Sequence, residues 1–597
     1  MSSPAPKKQK VAADSPATIV NLVRMQEAHR LQEKFSRQWH MQDPVHGLIW
    51  LPDIMRTIID TPQFERMNHI HQLGTTACVY RSATHTRAAH SMGTAYLALE
   101  LMLHLLSAQP ELYEEPFNLT FRDVLCVAIA GLCHDLGHPL FSHMFETYVR
   151  GEAAKSLLAK HPAGYESTPE GAAELKKYTG WEHEQASIAM FRHLLEANPQ
   201  VKNGLLKFGL EDIDFLFIEE LISPPAAMGT LLAHGSAQWP CQGRPHTHAF
   251  LYEIVSNWRS GADVDKFDYF ARDAFYLGLK SIFDTERYIK SLRVLRDKRC
   301  TISAAEKEKN IFTLSPSEKQ LDSLRMDAAD NRASLHRKAY QHKTSLKLDF
   351  HMRRVLELME PHIKIPGKGG RMMTMSEAAV NFDMEAFVHM DDSLVRQMLR
   401  TPMPELKAAQ DEYNKRFSLR QTATYVQEVE LETELSEESV KAELMKLYDR
   451  KRLEEEHTKA KPLDSVELHV ASVILGHGMK TEDPVKNVVF HNSKLLNGYK
   501  ENLGPSGKLY NFRNIVRHDH GTPQKKRRRW ICFLDCQGPM GECTKEATFN
   551  AVALCFDSYM QSQKGRLVRM GGTPDQSQKR RALRAQDSAE GELVLES

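Results

Sequence analysis

The stretch from Leu125 to Glu146, L-C-V-A-I-A-G-L-C-H-D-L-G-H-P-L-F-S-H-M-F-E, constrains the fold more than any other. Val124 to Cys133 is an unbroken apolar run, too short to span a membrane and long enough to form a buried helix. The pattern predicts a helix that delivers His134-Asp135 at its end, with Gly137 and Pro139 breaking it just beyond. His138 and His143 follow, and Glu146 comes shortly after the second. Ionisable groups at the end of an apolar element are costly unless paired or coordinated, so this arrangement points to a metal and phosphate site. The dipeptide alone would not. A second one, His518-Asp519, lies in polar, turn-rich R-H-D-H-G-T-P-Q-K-K with no apolar helix behind it, and reads as a solvated loop.

At 597 residues the chain has room for about two to four domains. A net charge of +1 gives no global field directed at nucleic acid or membrane. Local charge is less even. Lys7, Lys8 and Lys10 form a basic cluster that resembles a nuclear localisation signal, and Lys525 to Arg529 are consecutive cations. The plain alternative for both is a solvated surface. Nine scattered cysteines, several within apolar runs, suggest free thiols in a reducing compartment. With no signal peptide or membrane span visible, the expectation is an intracellular, nuclear protein.

Along the chain, residues 1–37 read as a basic tail, with a helix from Ile19 to about Trp39 leading out of it. Residues 38–345 read as the catalytic core, 346–460 as a helical extension with a charged linker, 461–560 as a small α+β lobe, and 561–597 as a disordered tail. The fold class expected is mainly α. Within the core, Thr61-Pro62 suits a helix cap, and H-T-R-A-A-H-S-M-G at His85–Gly93 opens an apolar helix. Asp263, Asp265, Asp268 and Asp273 interleave with Val264, Phe267 and Phe270, an acid density beside aromatics that favours a site over a plain amphipathic helix. Residues 306–331 read as a charged insertion, and the helix from Arg332 gathers cations and rings suited to a triphosphate or nucleobase.

His90, His134, Asp135 and Asp265 thus stand on three separate predicted helices. Two imidazoles and two carboxylates suit a borderline metal such as Fe, Mn or Zn, with Mg beside it, and such a site activates water toward phosphorus. His138, His143 and His183 are candidates to bind phosphate oxygens or protonate a leaving oxygen, and Arg87, Lys266 and Arg332 to neutralise a polyphosphate.

The order H…HD…D, with D-T-P-Q-F at Asp60–Phe64, F-S-H-M-F at Phe141–Phe145, D-V-D-K at Asp263–Lys266 and S-L-H-R-K-A-Y-Q-H-K at Ser334–Lys343, resembles the sterile-alpha-motif/HD-domain deoxynucleoside triphosphate triphosphohydrolases of the HD-domain phosphohydrolase superfamily. The likeness runs from about residue 38 to 560 and is thin in the last lobe. It implies an HD-domain core in which His90, His134, Asp135 and Asp265 hold the metal. The reaction it implies is hydrolysis of dNTP at the α-phosphate to deoxynucleoside and inorganic triphosphate, controlling dNTP pools and restricting viral replication. His143 would protonate the departing 5′-oxygen, with Glu146 (Asp in the family) and His183 as its relay. Arg87, His138, Lys266 and Arg332 would bind the triphosphate, and Gln72, Leu73, Tyr269, Asp273, Tyr340 and Gln341 the sugar end.

The resemblance also implies a homotetramer activated by GTP and a dNTP. For the guanine site Asp60 is kept and Arg416 and Arg420 are suitably spaced, but Trp39, Glu65 and Asn68 stand where the family has Lys, Gln and Arg. For the deoxynucleotide, Arg287, Lys307, Asn310, His342 and Lys343 are available, while Ala305 replaces an Arg. The residues ahead of the core are too few for a sterile-alpha-motif domain, so the expectation is a core without one. Thr522, in T-P-Q-K, is a candidate phosphorylation site. Two alternatives stand beside this reading: a single-stranded nucleic-acid-binding or nucleotide-sensing protein built on Lys525–Arg529 and the helix after Arg332, and an HD-type nuclease or phosphodiesterase using the same metal site.

Overall fold

The computed structural model describes residues 16–233, 238–304, 307–431, 435–452, 460, 466–475, 487–491, 527–536, 542–563 and 567–571. Lys7, Lys8, Lys10, Ala305, His518-Asp519 and Thr522 lie outside them. The fold is mainly helical with small sheets, as expected, and comprises two compact units. The first is built from the described residues of Met1–Leu335, Leu356–Leu406 and Asp483–Asp519, the second from those of His336–Val355, Lys407–Glu482 and His520–Ser597.

In the first unit, α1 (Pro16–Lys34) stops short of the expected Trp39, which instead lies on β1 (Gln38–Asp43), paired antiparallel with β2 (Gly47–Pro52). Ile49 and Leu51 on β2 are fully buried and anchor this hairpin, so its burial overrides the helical reading. Two helices form the centre. α2 (Arg87–Ala108) starts at Thr86, whose hydroxyl accepts from Ala89 N–H. α3 (Phe121–Cys133) starts at a capping box in which Thr120 and Asp123 satisfy each other's backbone. The apolar run of α3 is buried on every side, each Leu, Val or Ile contributing about 1.5–3 kcal/mol. The two helices approach closely at Gly131, where a Cβ would lie 3.2 Å from Ala95 Cα.

Around this pair lie α4 (His143–Tyr148), α5 (His183–Ala197), α6 (Asp212–Ile222) and α7 (Val264–Tyr276). α6 is tied to the start of α3 by Arg244, which bonds Asp123 at 2.7 Å and Asp214 at 2.6 Å, while Arg122 bonds Asp214 at 2.8 Å. The charged 306–331 stretch is largely ordered: β3 (Arg293–Ala304) and β4 (Lys307–Ser315) form a hairpin whose alternate residues reach the core through Ile311 and Thr313. α8 (Ala328–Leu335) follows, α9 (Lys343–Met359) runs through residues of both units, and α10 (Asp392–Met398) belongs to the first.

The second unit carries an antiparallel sheet of β5 (Thr424–Leu431), β6 (Val466–Leu475), β7 (Arg527–Cys536) and β8 (Leu567–Gly571), in the order β8-β5-β7-β6. On β7, Trp530, Cys532 and Leu534 face one cluster while Ile531 and Phe533 face another, the period of two expected of a strand covered on both sides. α11 (Glu437–Arg452) and α12 (Glu542–Ser562) cover the first face. The charged composition of 428–461 conceals the stripe Val440, Leu444 and Tyr448, at helical spacing and buried. Among the described residues no helix is long and apolar enough to cross a membrane.

Two imidazoles buried in this unit make it sensitive to acid. His351 Nε2 accepts from Ala423 N–H at 3.2 Å, and His469 packs on Phe350 at 3.8 Å between ring centres. Burial, with Arg416 beside His351 and Lys441 beside His469, lowers both pKa values to about 3. The unfolded chain therefore binds more protons than the folded one below about pH 6.5, and stability falls as pH drops from there toward 3. Melting followed by circular dichroism should show a fall of a few kcal/mol between pH 7 and pH 4. His351→Gln, whose amide oxygen can still accept from Ala423, should flatten that dependence.

Candidate active site

His134 and His90 each have the ring orientation set by a backbone or carboxylate partner. His134, the C-cap of α3, donates from Nδ1 to Gly131 O at 2.8 Å, one turn back. Its Nε2 is buried with no hydrogen-bond partner. His90, in the first turn of α2, directs Nδ1 to Asp268 Oδ2 at 2.7 Å and Nε2 toward Asp265 Oδ1 at 3.1 Å. Both Nε2 atoms thus keep their lone pairs for the shared space when the rings are neutral. Asp265 Oδ1 lies 3.5 Å from His134 Nε2, and the Asp135 carboxylate lies 3.4 Å from His134 Nε2 and 3.6 Å from His90 Nε2. The orphaned Nε2 of His134 and the mixed N/O donors of His90, His134 and Asp265, with the Asp135 carboxylate beside them, fit a first-row divalent metal.

The local field agrees. Burial opposes charge on His90, yet Asp265 and Asp268 outweigh it and raise its pKa to about 10. Burial would likewise raise Asp135, but Arg87, His134 and His90 hold it below the usual carboxylate range. The carboxylates that favour a proton on the imidazole favour a cation in the same place.

Asp268 is the hub behind His90. Fully buried, it also meets His46 Nε2 at 2.7 Å and accepts two bonds from Arg272, at 2.8 and 2.9 Å. Arg272 in turn reaches Asp43 at 2.8 Å, so the β1–β2 turn buttresses His90 through Asp268. Gly93, one turn beyond His90, makes room: a Cβ there would fall 2.0 Å from Asp268 Oδ1.

Beside the metal cluster stands a second group of three imidazoles. His138 is buried and stacks on His183 with ring centres 4.0 Å apart, and His143 stands edge-on to both. Glu146 Oε2 joins His183 Nδ1 at 3.1 Å and His143 Nδ1 at 3.4 Å, while its other oxygen binds Arg150 at 2.7 Å. Burial would raise Glu146, but bonds to His143 and His183 hold it well below the usual range. Burial would lower His183, and its bond to Glu146 outweighs this and raises it. Burial, with Arg87 next in weight, pushes His138 well below 6.5, so that ring is neutral. The side chain of His143 is 67% exposed, the accessible member of the group.

Arg87 is buried, bonding Asp135 at 2.7 Å, Ser142 Oγ at 3.1 Å and Gln72 O at 3.2 Å. Lys266 bonds Asp263 at 3.1 Å, and Arg332 contributes to the electrostatic surroundings of both Lys266 and Tyr269. Burial raises the Tyr269 hydroxyl to about 12. Gln72 is buried and Leu73 half-buried, and Asp273 bonds His85 at 2.7 Å. Tyr340 and Gln341 belong to the second unit, where Tyr340 packs on His336 and Gln341 O accepts from Arg529.

The residues expected to form effector sites are spread over the fold. Asp60 is exposed and 3.7 Å from Arg56, which also lies over the Trp39 ring; Asn68 donates to Glu65 at 2.8 Å. Arg287 is exposed on its helix, and the backbones of Lys307 and Asn310 pair within the β3–β4 hairpin. In the second unit, Arg416 is buried and bonded to Glu412 and Asp535, Arg420 sits at a φ of +59°, Lys343 lies over the Tyr425 ring, and burial lowers His342. Of the Lys525–Arg529 cations, Arg529 is buried and paired with Glu428.

Sequence reasoning noted Asp268 only as one acid among several and missed His46, Arg150 and Arg272. His46 meets Asp268 across 222 residues and Arg272 meets Asp43 across 229, distances that no local pattern records, whereas Arg150 lies only one turn from Glu146, a spacing shared with ordinary surface pairs.

A family model for the HD domain matches residues 87–213. The chain is 36% identical over 464 residues to the deoxynucleoside triphosphate triphosphohydrolase SAMHD1 of Mus musculus, covering 75% of this chain and 63% of that protein. It is 37% identical over 456 residues to the protein of that name from Danio rerio, covering 75% and 65%. For the Bos taurus protein the identity is 35% over 460 residues, covering 76% and 69%. The chain thus spans slightly less than two thirds of the length of the first two relatives. With the HD constellation assembled and more than two thirds of the bovine protein matched, the chain belongs to the family of the SAMHD1 triphosphohydrolases.

Proposed function

We propose that this chain is a metal-dependent dNTP triphosphohydrolase that cleaves at the α-phosphate to give deoxynucleoside and inorganic triphosphate. The observation that carries this reading is the juxtaposition of the His90/His134/Asp135/Asp265 donor set with the Glu146-linked imidazoles. Those four residues would hold a divalent Fe, Mn or Zn ion, with Mg nearby, which would supply the Lewis acidity that activates water toward phosphorus. Arg87, Lys266 and Arg332 neutralise the triphosphate, and His138, neutral and buried, offers its ring to a phosphate oxygen. His143 protonates the departing 5′-oxygen; Glu146 orients its ring, and His183 shares that carboxylate as a relay. Tyr269 packs beneath the sugar where a 2′-hydroxyl would clash, with Gln72, Leu73 and Asp273 beside it. Tetramer assembly, nuclear import through Lys7, Lys8 and Lys10, and control of dNTP pools belong to the same proposal.

Control by GTP is expected to be altered. Asp60 is kept, whereas Glu65, an exposed acid, stands where the family resemblance implies Gln and engages Asn68, which stands where it implies Arg, and Trp39 replaces a Lys. Each misplaced charge near a triphosphate costs about 1 kcal/mol or more at the surface. The test measures inorganic triphosphate released from dATP and dGTP with Mn or Fe/Mg, across a GTP titration. Turnover that responds only weakly to GTP is expected. Glu65→Gln with Asn68→Arg should strengthen GTP activation at least about tenfold. Tight GTP activation of the unaltered chain would refute the altered control, and no triphosphate release under any effector would refute the activity.

A further inference from the structure

His143 is presented by an unusual turn. Phe141 and Ser142, immediately before it, both take left-handed backbone conformations, with φ of +55° and +57°. Neither residue is a glycine, and a bulky residue occupies this region only when its surroundings hold it there. Gly74 packs directly against the turn, where a Cβ would lie 2.6 Å from Phe141 O.

The holding group comes from far along the chain. Asp392, at the start of α10 and 1% exposed, accepts from Phe141 N–H through Oδ1 at 2.6 Å. Its Oδ2 accepts from His71 N–H at 3.1 Å and lies 2.7 Å from His71 Nδ1. One carboxylate therefore grips two segments: the turn that presents His143, and the segment that continues into Gln72 and Leu73. Ser142 Oγ closes the same junction by donating to His71 O at 2.8 Å. Arg66 braces the base of the turn, bonding His138 O at 2.8 Å and Met390 O at 2.9 Å. The clamp thus spans 321 residues of sequence and involves no group proposed to touch the metal.

We propose that Asp392 is a positioning residue for the leaving-group acid: it holds the Phe141–Ser142 turn so that His143 stays in register with the sugar-binding segment. This rests on the role given to His143 above. An Asp392→Asn side chain keeps the shape but replaces one acceptor by a donor facing the His71 N–H, so the grip fails on one side. A general acid displaced by about 1 Å can cost on the order of 10²-fold in rate.

The test uses the full-length chain with its metal and four proteins: unaltered, Asp392→Asn, His143→Ala and the double variant. Amide hydrogen exchange across 138–145 and 70–73 is measured on each, beside kcat for triphosphate release. The expected result for Asp392→Asn is faster exchange confined to those two segments and a kcat loss of about 10- to 100-fold. In the His143→Ala background the further loss from Asp392→Asn should shrink to less than about threefold, because the acid it positions is gone. A loss of equal size in both backgrounds, or faster exchange throughout the unit, would mean a merely structural role and overturn the proposal. Unchanged exchange at both segments overturns it as well, whatever the rate does. Absence of triphosphate release from the unaltered chain would instead count against the proposed activity, and the exchange measurement still decides whether the clamp exists.

Discussion

Replacing His134 and Asp135 together by alanine is expected to abolish triphosphate release, with a loss in kcat of at least about 10³-fold. That exceeds the ~10²–10³ lost with a single electrostatic donor, because two of the four groups proposed to hold the metal go at once. The two substitutions differ in what else they do. His134 makes one bond to Gly131 O, and its Nε2 has no partner to lose, so His134→Ala alone should lower stability by only about 1 kcal/mol. Asp135 is the buried partner of Arg87 at 2.7 Å, and its removal strands a guanidinium that is itself buried. That costs about 3–5 kcal/mol, so the double variant should also melt earlier. His134→Ala is therefore the cleaner reporter. Adding Mn to the unaltered chain should raise its melting temperature by mass action, and this rise should vanish in His134→Ala. A variant that keeps both turnover and the Mn-dependent rise would rule out these residues as the metal ligands.

Gly137→Ala is expected to have the largest effect of any single methyl in the site. The residue shows no unusual φ; the constraint is space. A Cβ would lie 2.1 Å from Ser187 N, 2.3 Å from Ala186 C and 2.5 Å from His183 O. All three are backbone atoms of the first turns of α5, which cannot swing aside as a side chain could. Accommodating the methyl means moving the start of α5, and with it His183, away from the loop that carries His138. The Gly137 N–H bond to Ser187 Oγ at 2.9 Å goes too. Overpacking of this kind costs about 1–3 kcal/mol or more. It should also break the His138–His183 stack and lower kcat by about tenfold or more. Gly151→Ala is the control: nothing lies within 4 Å of its Cβ position, and alanine there should be neutral or stabilise by up to about 1 kcal/mol. Equal melting of the two variants would show that α5 yields where its backbone contacts say it cannot.

Much of this site is legible in the sequence because its parts are short-range. The apolar run of α3 needs no partner to be recognised, and His134-Asp135 follows it by covalent necessity. The Asp-aromatic pattern of α7 marks Asp265 in the same way. The helix read through to Trp39 failed because pairing with β2 decided that segment, and pairing is not a local property. The charged 428–461 stretch misled for a related reason: overall composition obscures three buried residues at helical spacing.

The sequence by itself determined the candidate residues, their order, and the helices that bear them, since period, caps and breakers act within a turn or two. Only the tertiary structure decided how those residues are aimed. Asp268 with His46 sets the ring of His90, Arg87 neutralises Asp135, and Asp392 grips the turn before His143. Each of these is a hydrogen bond made across a buried interface between distant segments. A carboxylate's partner there depends on which backbones the packed core brings within 3 Å, and no pattern along the chain records that distance.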